Sequence, residues 1–402
     1  MIELNGKYTN AKIFASIVED QAIQQIQTLI DLEQSRNCQV RIMPDVHAGK
    51  GCTIGFTMIV HDKIVPNLVG GDGSCGMIVQ KLNENHVDFQ KLDNIIRTQI
   101  PYGKNINTVV NEFINDNDYK MIEKLHCIDD VDVNREVLAL GSLGSGNHFI
   151  ELDVDSNGNF HLIVHTGSRH LGQVVCKHYQ NKAKNNINNN VFNRQKIIEE
   201  LRSQGRYSEI QSTLDSLKKI DVPDGLEYIE GNDLNDYLDD MKIINWYASR
   251  NRELIVDTIC KHMNWVICKK LRFESVHNFV EIGSNVIIRK GATPAYAGQQ
   301  VLIPLNMRDG CLLCVGKGNR DWNYSAPHGA GRLISRSKAK NTISLQTYQD
   351  SMKNVYTTCL NENTLDESPM AYKSIDSIID NIGDTVDIVD HLKSVYNFKA
   401  DD

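Results

Sequence analysis

Candidate metal-binding side chains are spread along this 402-residue sequence, most of them in short glycine-rich motifs. Asp72 and Cys75 share the segment Gly-Gly-Asp-Gly-Ser-Cys-Gly, where flanking glycines allow a tight turn that directs a carboxylate and a thiolate toward one point. His148, His165 and His277 follow much further along the chain. A site that uses all five requires a fold that brings distant segments together, which is typical of an enzyme rather than a docking module.

The donor atoms of these five residues indicate which ions they would bind. Three histidines, one cysteine and one aspartate form a mixed nitrogen, sulfur and oxygen set, which favours Mn, Zn, Fe or Co over Ca or Mg. Taken singly, each residue has an ordinary alternative, since an isolated histidine is usually structural and an isolated cysteine usually a small buried apolar residue. As a group within such motifs, they predict a metal site.

A fifth motif presents a histidine among small residues. His328 lies in Ser-Ala-Pro-His-Gly-Ala-Gly-Arg, which leaves room for a bulky ligand against the ring and places Arg332 where it could meet a phosphate. A neutral imidazole needs no deprotonation near pH 7 to act as a nucleophile toward phosphorus. The sequence therefore suggests His328 as a covalent nucleophile. The alternative is that His328 joins the other histidines and the cysteine as a fifth such metal ligand.

Composition describes a globular protein without membrane or secretory features. Hydrophobic residues make up 41% of the chain and charged residues 23%. No apolar run reaches the roughly 18 residues of a membrane span, and the first residues lack a secretory signal. Ten scattered cysteines show no disulfide framework. We expect a cytoplasmic protein with reduced thiols and no membrane partner.

The net charge of −8 argues against a general electrostatic grip on nucleic acid. A local basic groove remains compatible with that charge, because eight cations cluster around His328; the alternative is a solvated face of mixed charge. The cluster comprises Arg289, Lys290, Lys317, Arg320, Arg332, Arg336, Lys338 and Lys340.

The pattern along the chain predicts strands that end at the reactive residues. Short apolar runs at 54–60 and 64–69 read as buried strands, and runs at 161–164 and 285–288 lead into His165 and Arg289. A stretch from 174 to 265 has helical periodicity and few candidate ligands, so it reads as a helical insertion that serves packing and solubility. Helical patterns also cover 15–33 and the tail at 372–394.

These motifs, in this order, resemble the RtcB-type RNA ligases. The likeness starts at Met-Pro-Asp-Val-His-Ala-Gly-Lys-Gly, residues 43–51, and continues to Lys399. It implies an α+β fold with central mixed and antiparallel sheets around a metal–nucleotide cleft. It also implies a single catalytic domain over residues 1–402, with the helical insertion at 174–265 inside it.

The resemblance assigns roles to individual residues. It implies two manganese ions, one held by Asp72, Cys75 and His148 and the other by Cys75, His165 and His277. It makes His328 the residue that becomes guanylylated by GTP, with Asp45 beside it and Arg169 toward RNA phosphate. The nucleotide-binding residues that it implies are Asn147, Phe149, Glu151, Asn306, Cys311, Tyr372 and Lys399.

The implied activity joins an RNA 3′-phosphate or 2′,3′-cyclic phosphate to a 5′-hydroxyl in RNA repair or tRNA splicing. Two segments depart from the family pattern: the loop between Asp72 and Cys75, and residues 304–311, which resemble a shorter bacterial RNA-repair subgroup. A metal-dependent phosphoesterase that trims RNA 3′ ends is the main alternative, and a non-catalytic RNA-binding protein is a third. The need for an activator protein and the choice between monomer and weak dimer stay open.

Overall fold

The computed structural model describes residues 1–16, 18–49, 51–216 and 222–400. Outside this description lie residue 17 of the helical pattern at 15–33, residue 50 of the motif at 43–51, residues 217–221 of the predicted insertion, and residues 401–402 of the predicted domain. The chain forms ten α-helices within these ranges, which are α1 (Asp20–Ile30), α2 (Phe89–Gln99), α3 (Asp116–Ile122), α4 (Val133–Ala139), α5 (Arg169–Ser203), α6 (Ile210–Ser216), α7 (Asn232–Met263), α8 (Arg336–Thr342), α9 (Leu345–Ser351) and α10 (Ile375–Ile382).

The described residues also form seventeen strands, most of them short, as expected for a chain with many glycine turns. They are β1 (Ile2–Asn5), β2 (Asn10–Ile13), β3 (Gln39–His47), β4 (Ile54–Val60), β5 (Lys63–Ile64), β6 (Gly76–Lys81), β7 (Phe149–Val154), β8 (Phe160–Thr166), β9 (Ile229–Glu230), β10 (Arg272–Val276), β11 (Asn278–Ile282), β12 (Val286–Lys290), β13 (Ala292–Pro294), β14 (Gln300–Asn306), β15 (Gly310–Gly316), β16 (Ser325–Pro327) and β17 (Val386–Lys399).

Two large sheets organise the fold. One has six strands in the order β1-β2-β3-β4-β12-β11, and it is mixed because β2 and β3 run parallel. The other has seven antiparallel strands in the order β10-β6-β8-β7-β17-β15-β14. This arrangement confirms the α+β class with mixed and antiparallel sheets.

The seven-stranded sheet curves into a nearly closed barrel. The hydroxyl of Ser275, on β10, donates to the carbonyl of Leu302 on β14 at 3.3 Å and accepts from its N–H at 3.4 Å. These two bonds connect the edge strands of the sheet. Side chains along β7 alternate, so Phe149, Glu151 and Asp153 share the interior face while Ile150 packs outward against α2 and α7.

The helical stretch predicted at 174–265 coincides with α5, α6 and α7 over its described residues. That it is an insertion within the family fold stays a prediction. The helical pattern at 15–33 corresponds to α1. No helix among the described residues combines the length and apolar character needed to cross a lipid bilayer.

Two predicted elements differ in the structure. The tail at 372–394 is helical only in α10, and β17 follows as a strand of 14 residues. Pairing with β7 on one side and β15 on the other gives β17 a central place in the barrel, and this overrides its local helical pattern. The run at 64–69 is mostly a short 3₁₀ turn, because Pro66 begins it.

Candidate functional site

Five predicted metal ligands meet at one end of the barrel. The Cys75 sulfur lies 3.2 Å from His165 Nε2 and 3.4 Å from His148 Nε2, and His165 Nε2 lies 3.2 Å from His277 Nε2. The Asp72 carboxylate is 3.7 Å from His148 Nε2. The atoms form two groups that share Cys75, one with His165 and His277 and one with Asp72 and His148.

Burial sets the protonation state of this cluster. His165 and His277 are buried, and burial together with the neighbouring imidazoles lowers the pKa of both rings well below the usual value. His148 donates its Nδ1–H to the carbonyl of Leu143 at 2.9 Å, which leaves the Nε2 lone pair toward Cys75. Burial raises the pKa of the Cys75 thiol, with the Asp72 charge adding to the effect. A divalent cation is the charge that would stabilise a thiolate there.

Helix α7 holds the loops that carry these ligands. Asn251 accepts hydrogen bonds from the N–H groups of Gly141 and Ser142 and donates to the carbonyls of Ser142 and Gly167. Arg252, which has no solvent exposure, donates to the carbonyls of Ser74 and Thr166. The helix therefore does more than the packing role expected from its sequence, because it fixes the backbone beside Cys75 and His165.

His328 lies beside this cluster with an acidic partner behind it. Its ring centre is 4.9 Å from that of His277, and its Nδ1 lies 2.6 Å from a carboxylate oxygen of the fully buried Asp45. The carboxylate accepts the Nδ1–H, so Nε2 keeps its lone pair. Gly331 makes the approach feasible, because it adopts a φ of +74° and a Cβ there would lie 2.9 to 3.1 Å from Asp45 atoms.

A cavity of about 210 Å³ opens in front of His328. Its wall includes most of the residues that the sequence assigned to a nucleotide: Asn147, Phe149, Glu151, Asn306, Tyr372 and Lys399. The predicted Cys311 is not in this wall; it is fully buried behind Glu151, with its sulfur 3.5 Å from a Glu151 oxygen.

Four residues of the cavity wall form a charged network centred on Glu367, a residue that the sequence analysis did not identify. Glu367 is buried, accepts a hydrogen bond from the Tyr372 hydroxyl at 2.6 Å, and forms ion pairs with Lys399 and Arg336. Burial alone would raise its pKa, but the two cations and the hydroxyl hold the pKa at about 2. Lys399 also donates to the carbonyl of Asn147 at 3.4 Å. No local motif marks Glu367, since only tertiary packing brings it to the cavity.

Arg169 sits beside the Asp72 and His148 half of the cluster. Its guanidinium donates to the Ser142 hydroxyl at 3.2 Å and to the Gly103 carbonyl at 3.1 Å. A side chain at Gly144, where φ is +83°, would collide with this guanidinium. Arg169 itself has a φ of +56°, an uncommon conformation for a residue with a side chain, and such strain is found mainly where function requires it.

The basic cluster predicted around His328 is largely neutralised by acidic partners. Arg289 is buried against Glu281, Lys317 pairs with Asp387, and Lys340 with Asp366. Of the predicted cations, Arg332 and Arg336 line the cavity. Less positive charge is therefore available to a polyanion than the sequence suggested.

One end of the barrel thus gathers a thiol, three imidazoles and a carboxylate that could hold metal ions, and these donors face an aspartate-paired histidine, an arrangement typical of a metalloenzyme. Sequence comparison agrees, because the family model described as "tRNA-splicing ligase RtcB" matches residues 25–400. The chain belongs to the RtcB family of RNA ligases.

Curated relatives resemble the chain over most of their length. The RNA-splicing ligase RtcB of Escherichia coli strain K12 is 28% identical, with 90% of each chain covered. The tRNA-splicing ligase RtcB of Aeropyrum pernix is 26% identical, with 92% of this chain and 89% of the relative covered. That of Methanococcus maripaludis is 25% identical, with 93% and 89% covered.

Proposed function

We propose that this RNA ligase joins an RNA 3′-phosphate or 2′,3′-cyclic phosphate to a 5′-hydroxyl, with GTP as the source of a guanylylated histidine. The observation that supports this most is the position of His328, whose Nδ1 is bonded to Asp45 while its ring faces both the metal-ligand cluster and the cavity. RNA repair and tRNA splicing are the processes we propose for it, in the cytoplasm.

Two manganese ions fit the donor set. Asp72, Cys75 and His148 would hold one, and Cys75, His165 and His277 the other, because these atoms already form two groups around one sulfur. Bound there, the ions would supply positive charge to phosphate oxygens. The neutral imidazoles and the single thiol favour manganese or another transition metal over calcium or magnesium.

The chain's own residues divide the remaining work. The Nε2 atom of His328 attacks the α-phosphorus of GTP, forming the N–P bond as pyrophosphate leaves. Asp45 keeps the attacking ring in the correct tautomer and stabilises the positive charge that develops on it. Arg332 faces the same cavity and could bind phosphate oxygens.

The nucleotide would lie along the cavity from His328 toward the barrel. Asn147 and Phe149 are the chain neighbours of His148, so the backbone that positions this metal-ligand histidine also positions them. Tyr372 and Lys399 are fixed through Glu367, and Lys399 lies 5.8 Å from the centre of the Phe149 ring. Glu151 is an acceptor suited to the N–H groups of guanine.

Arg169 is the residue we propose for RNA phosphate. Its partly buried guanidinium borders the ligand cluster from the side of Ser142 and Gly103. In contrast, Asn306 uses its side-chain oxygen to accept from the N–H groups of Arg308 and Asp309. It therefore shapes a turn at the cavity wall.

A covalent labelling assay tests the proposal. We expect Mn²⁺ and GTP labelled at the α-phosphate to mark the protein, and the variant His328→Ala to remain unlabelled. His262→Ala is a matched control, since its ring bonds to the Thr258 carbonyl of its own helix and does not line the cavity in front of His328. Two RNAs, one with a 2′,3′-cyclic phosphate and one with a 5′-hydroxyl, should then be sealed only with GTP. Release of phosphate, or of an RNA with a 3′-phosphate end, without any joined product would instead indicate the phosphoesterase.

A further inference from the structure

Three reactive side chains lie together inside the barrel, behind the cavity. The carboxylates of Glu151 and Asp153 and the thiol of Cys311 have ligand atoms within 4.8 Å of one another. Glu151 is 2% exposed, and the other two are fully buried. The ligation chemistry proposed above uses neither Asp153 nor Cys311.

Asp153 is not paired with a cation among the described residues, and the donor beside it is the weak thiol of Cys311. Both of its carboxylate oxygens are buried, and neither accepts a hydrogen bond of good geometry from the described residues. Apolar side chains make up much of the barrel interior on which it lies, among them Met77, Val79, Ile163, Leu302 and Leu392. An ionised carboxylate in such surroundings is strongly disfavoured unless it is paired.

The cations near Asp153 are engaged elsewhere. His161 lies opposite it on β8, but its Nε2 pairs with Asp155 at 3.2 Å. Lys399, on β17, pairs with Glu367. Burial therefore raises the pKa of Asp153 well above its usual value, and the neighbouring Glu151 charge adds to the effect.

Glu151 is better suited to keep the charge. It accepts a hydrogen bond from the Asn397 amide at 2.6 Å and a weaker one from the Cys311 thiol at 3.5 Å. Burial also raises the pKa of Cys311, so its sulfur carries the proton it donates. Two buried carboxyl groups this close hold one proton between them more favourably than two negative charges.

We propose that Asp153 is a neutral carboxylic acid whose hydroxyl donates a hydrogen bond to Glu151 and thereby fixes the carboxylate that recognises the base of the nucleotide. The role rests on the proposed function, because Glu151 is the member of the pair that reaches the cavity wall. Asp153 is a positioning residue, since it acts on the nucleotide only through Glu151. A metal bound by all three side chains is the competing use of the cluster, but it would occupy the Glu151 oxygens that face the base.

Two variants at one position separate these uses. Asp153→Asn keeps the shape and a hydrogen-bond donor without a charge, whereas Asp153→Val removes the donor. We expect Asp153→Asn to be labelled with a KM for GTP within about threefold of the wild type, and Asp153→Val to raise that KM by about 10- to 100-fold, with little loss of rate at saturating GTP. An equal increase in the KM for GTP in both variants would overturn the proposal. So would the finding that the wild type binds a transition-metal ion in this cluster and that Asp153→Asn loses it.

A second measurement does not depend on activity. A proton bound to Asp153 in the folded state is released on unfolding, so the wild type becomes less stable as pH rises from the ordinary pKa of an aspartate, about 3.9, toward the raised pKa of Asp153. The unfolding equilibrium constant should therefore rise about tenfold more per pH unit in the wild type than in Asp153→Asn. Equal slopes would contradict the neutral acid, whatever the result with GTP. If the slopes differ between the two proteins but GTP fails to label the wild type, the base-recognition role and the proposed function are both overturned. Only the assignment of a proton to Asp153 would then stand.

Discussion

The contact between Asp45 and His328 gives the most direct test of the site. Asp45 is fully buried, and its carboxylate accepts the Nδ1–H of His328 at 2.6 Å. A hydrogen bond to a charged group contributes about 1.5 to 3 kcal/mol, or roughly 10- to 150-fold in rate. In Asp45→Asn the amide can instead donate to Nδ1, which moves the ring proton to Nε2 and removes the attacking lone pair; a comparable change in a catalytic triad costs about 10⁴-fold. We therefore expect Asp45→Asn to slow histidine guanylylation by at least about 100-fold.

The assay is the rate of protein labelling by GTP under single-turnover conditions with Mn²⁺. Asp390→Asn is the matched control. Asp390 lies on β17, its carboxylate accepts hydrogen bonds from Ser156, and it does not line the cavity in front of His328. Metal content and the unfolding midpoint should be the same in both variants. If Asp45→Asn were labelled at the wild-type rate with its metal content intact, the role of Asp45 in setting the tautomer would be refuted.

Three further predictions concern the surroundings of His328. Cys75→Ser should bind less than one of the two expected manganese ions, measured by elemental analysis, because both ligand groups share this sulfur; retention of two ions would contradict the shared position. Arg252→Met should lower the free energy of unfolding by about 3 kcal/mol in urea titrations, because the carbonyls of Ser74 and Thr166 lose their donor; an unchanged midpoint would show that these bonds add nothing. The pKa of Glu367, held at about 2, means that it stabilises the fold above pH 4.5 and that this contribution of about 3 kcal/mol is lost as pH falls toward 2. Glu367→Gln should therefore show a flatter acid-unfolding profile, and an equally steep one would contradict the assignment.

Residues with strong local signals could be predicted from sequence. The apolar run at 161–164 is part of β8, which continues through His165, and most of the run at 285–288 is part of β12, which continues through Arg289. The five metal-type residues could be grouped because each has a donor atom and most lie in glycine turns. The distances between them, in contrast, depend on the curvature of the barrel, which no local pattern contains.

Residues whose role depends on packing could not be predicted. Glu367 reaches the cavity through a 3₁₀ segment without a recognisable motif, and Asp153 looks like an ordinary polar residue on an alternating strand. Cys311 was assigned to the nucleotide by resemblance, yet it faces the barrel interior behind Glu151. Each case depends on which face of a strand or turn is enclosed, and this is decided by the other strands of the barrel.

Adjacent positions on α7, Asn251 and Arg252, bond to stretches of chain that are far apart in sequence. The backbone next to Cys75 and the backbone next to His165 therefore reach their final shape only when this helix docks. If the cluster binds the proposed ions, ion binding and helix docking are thermodynamically linked. The measured affinity for the ions then includes the free energy of docking a helix that supplies no ligand to them.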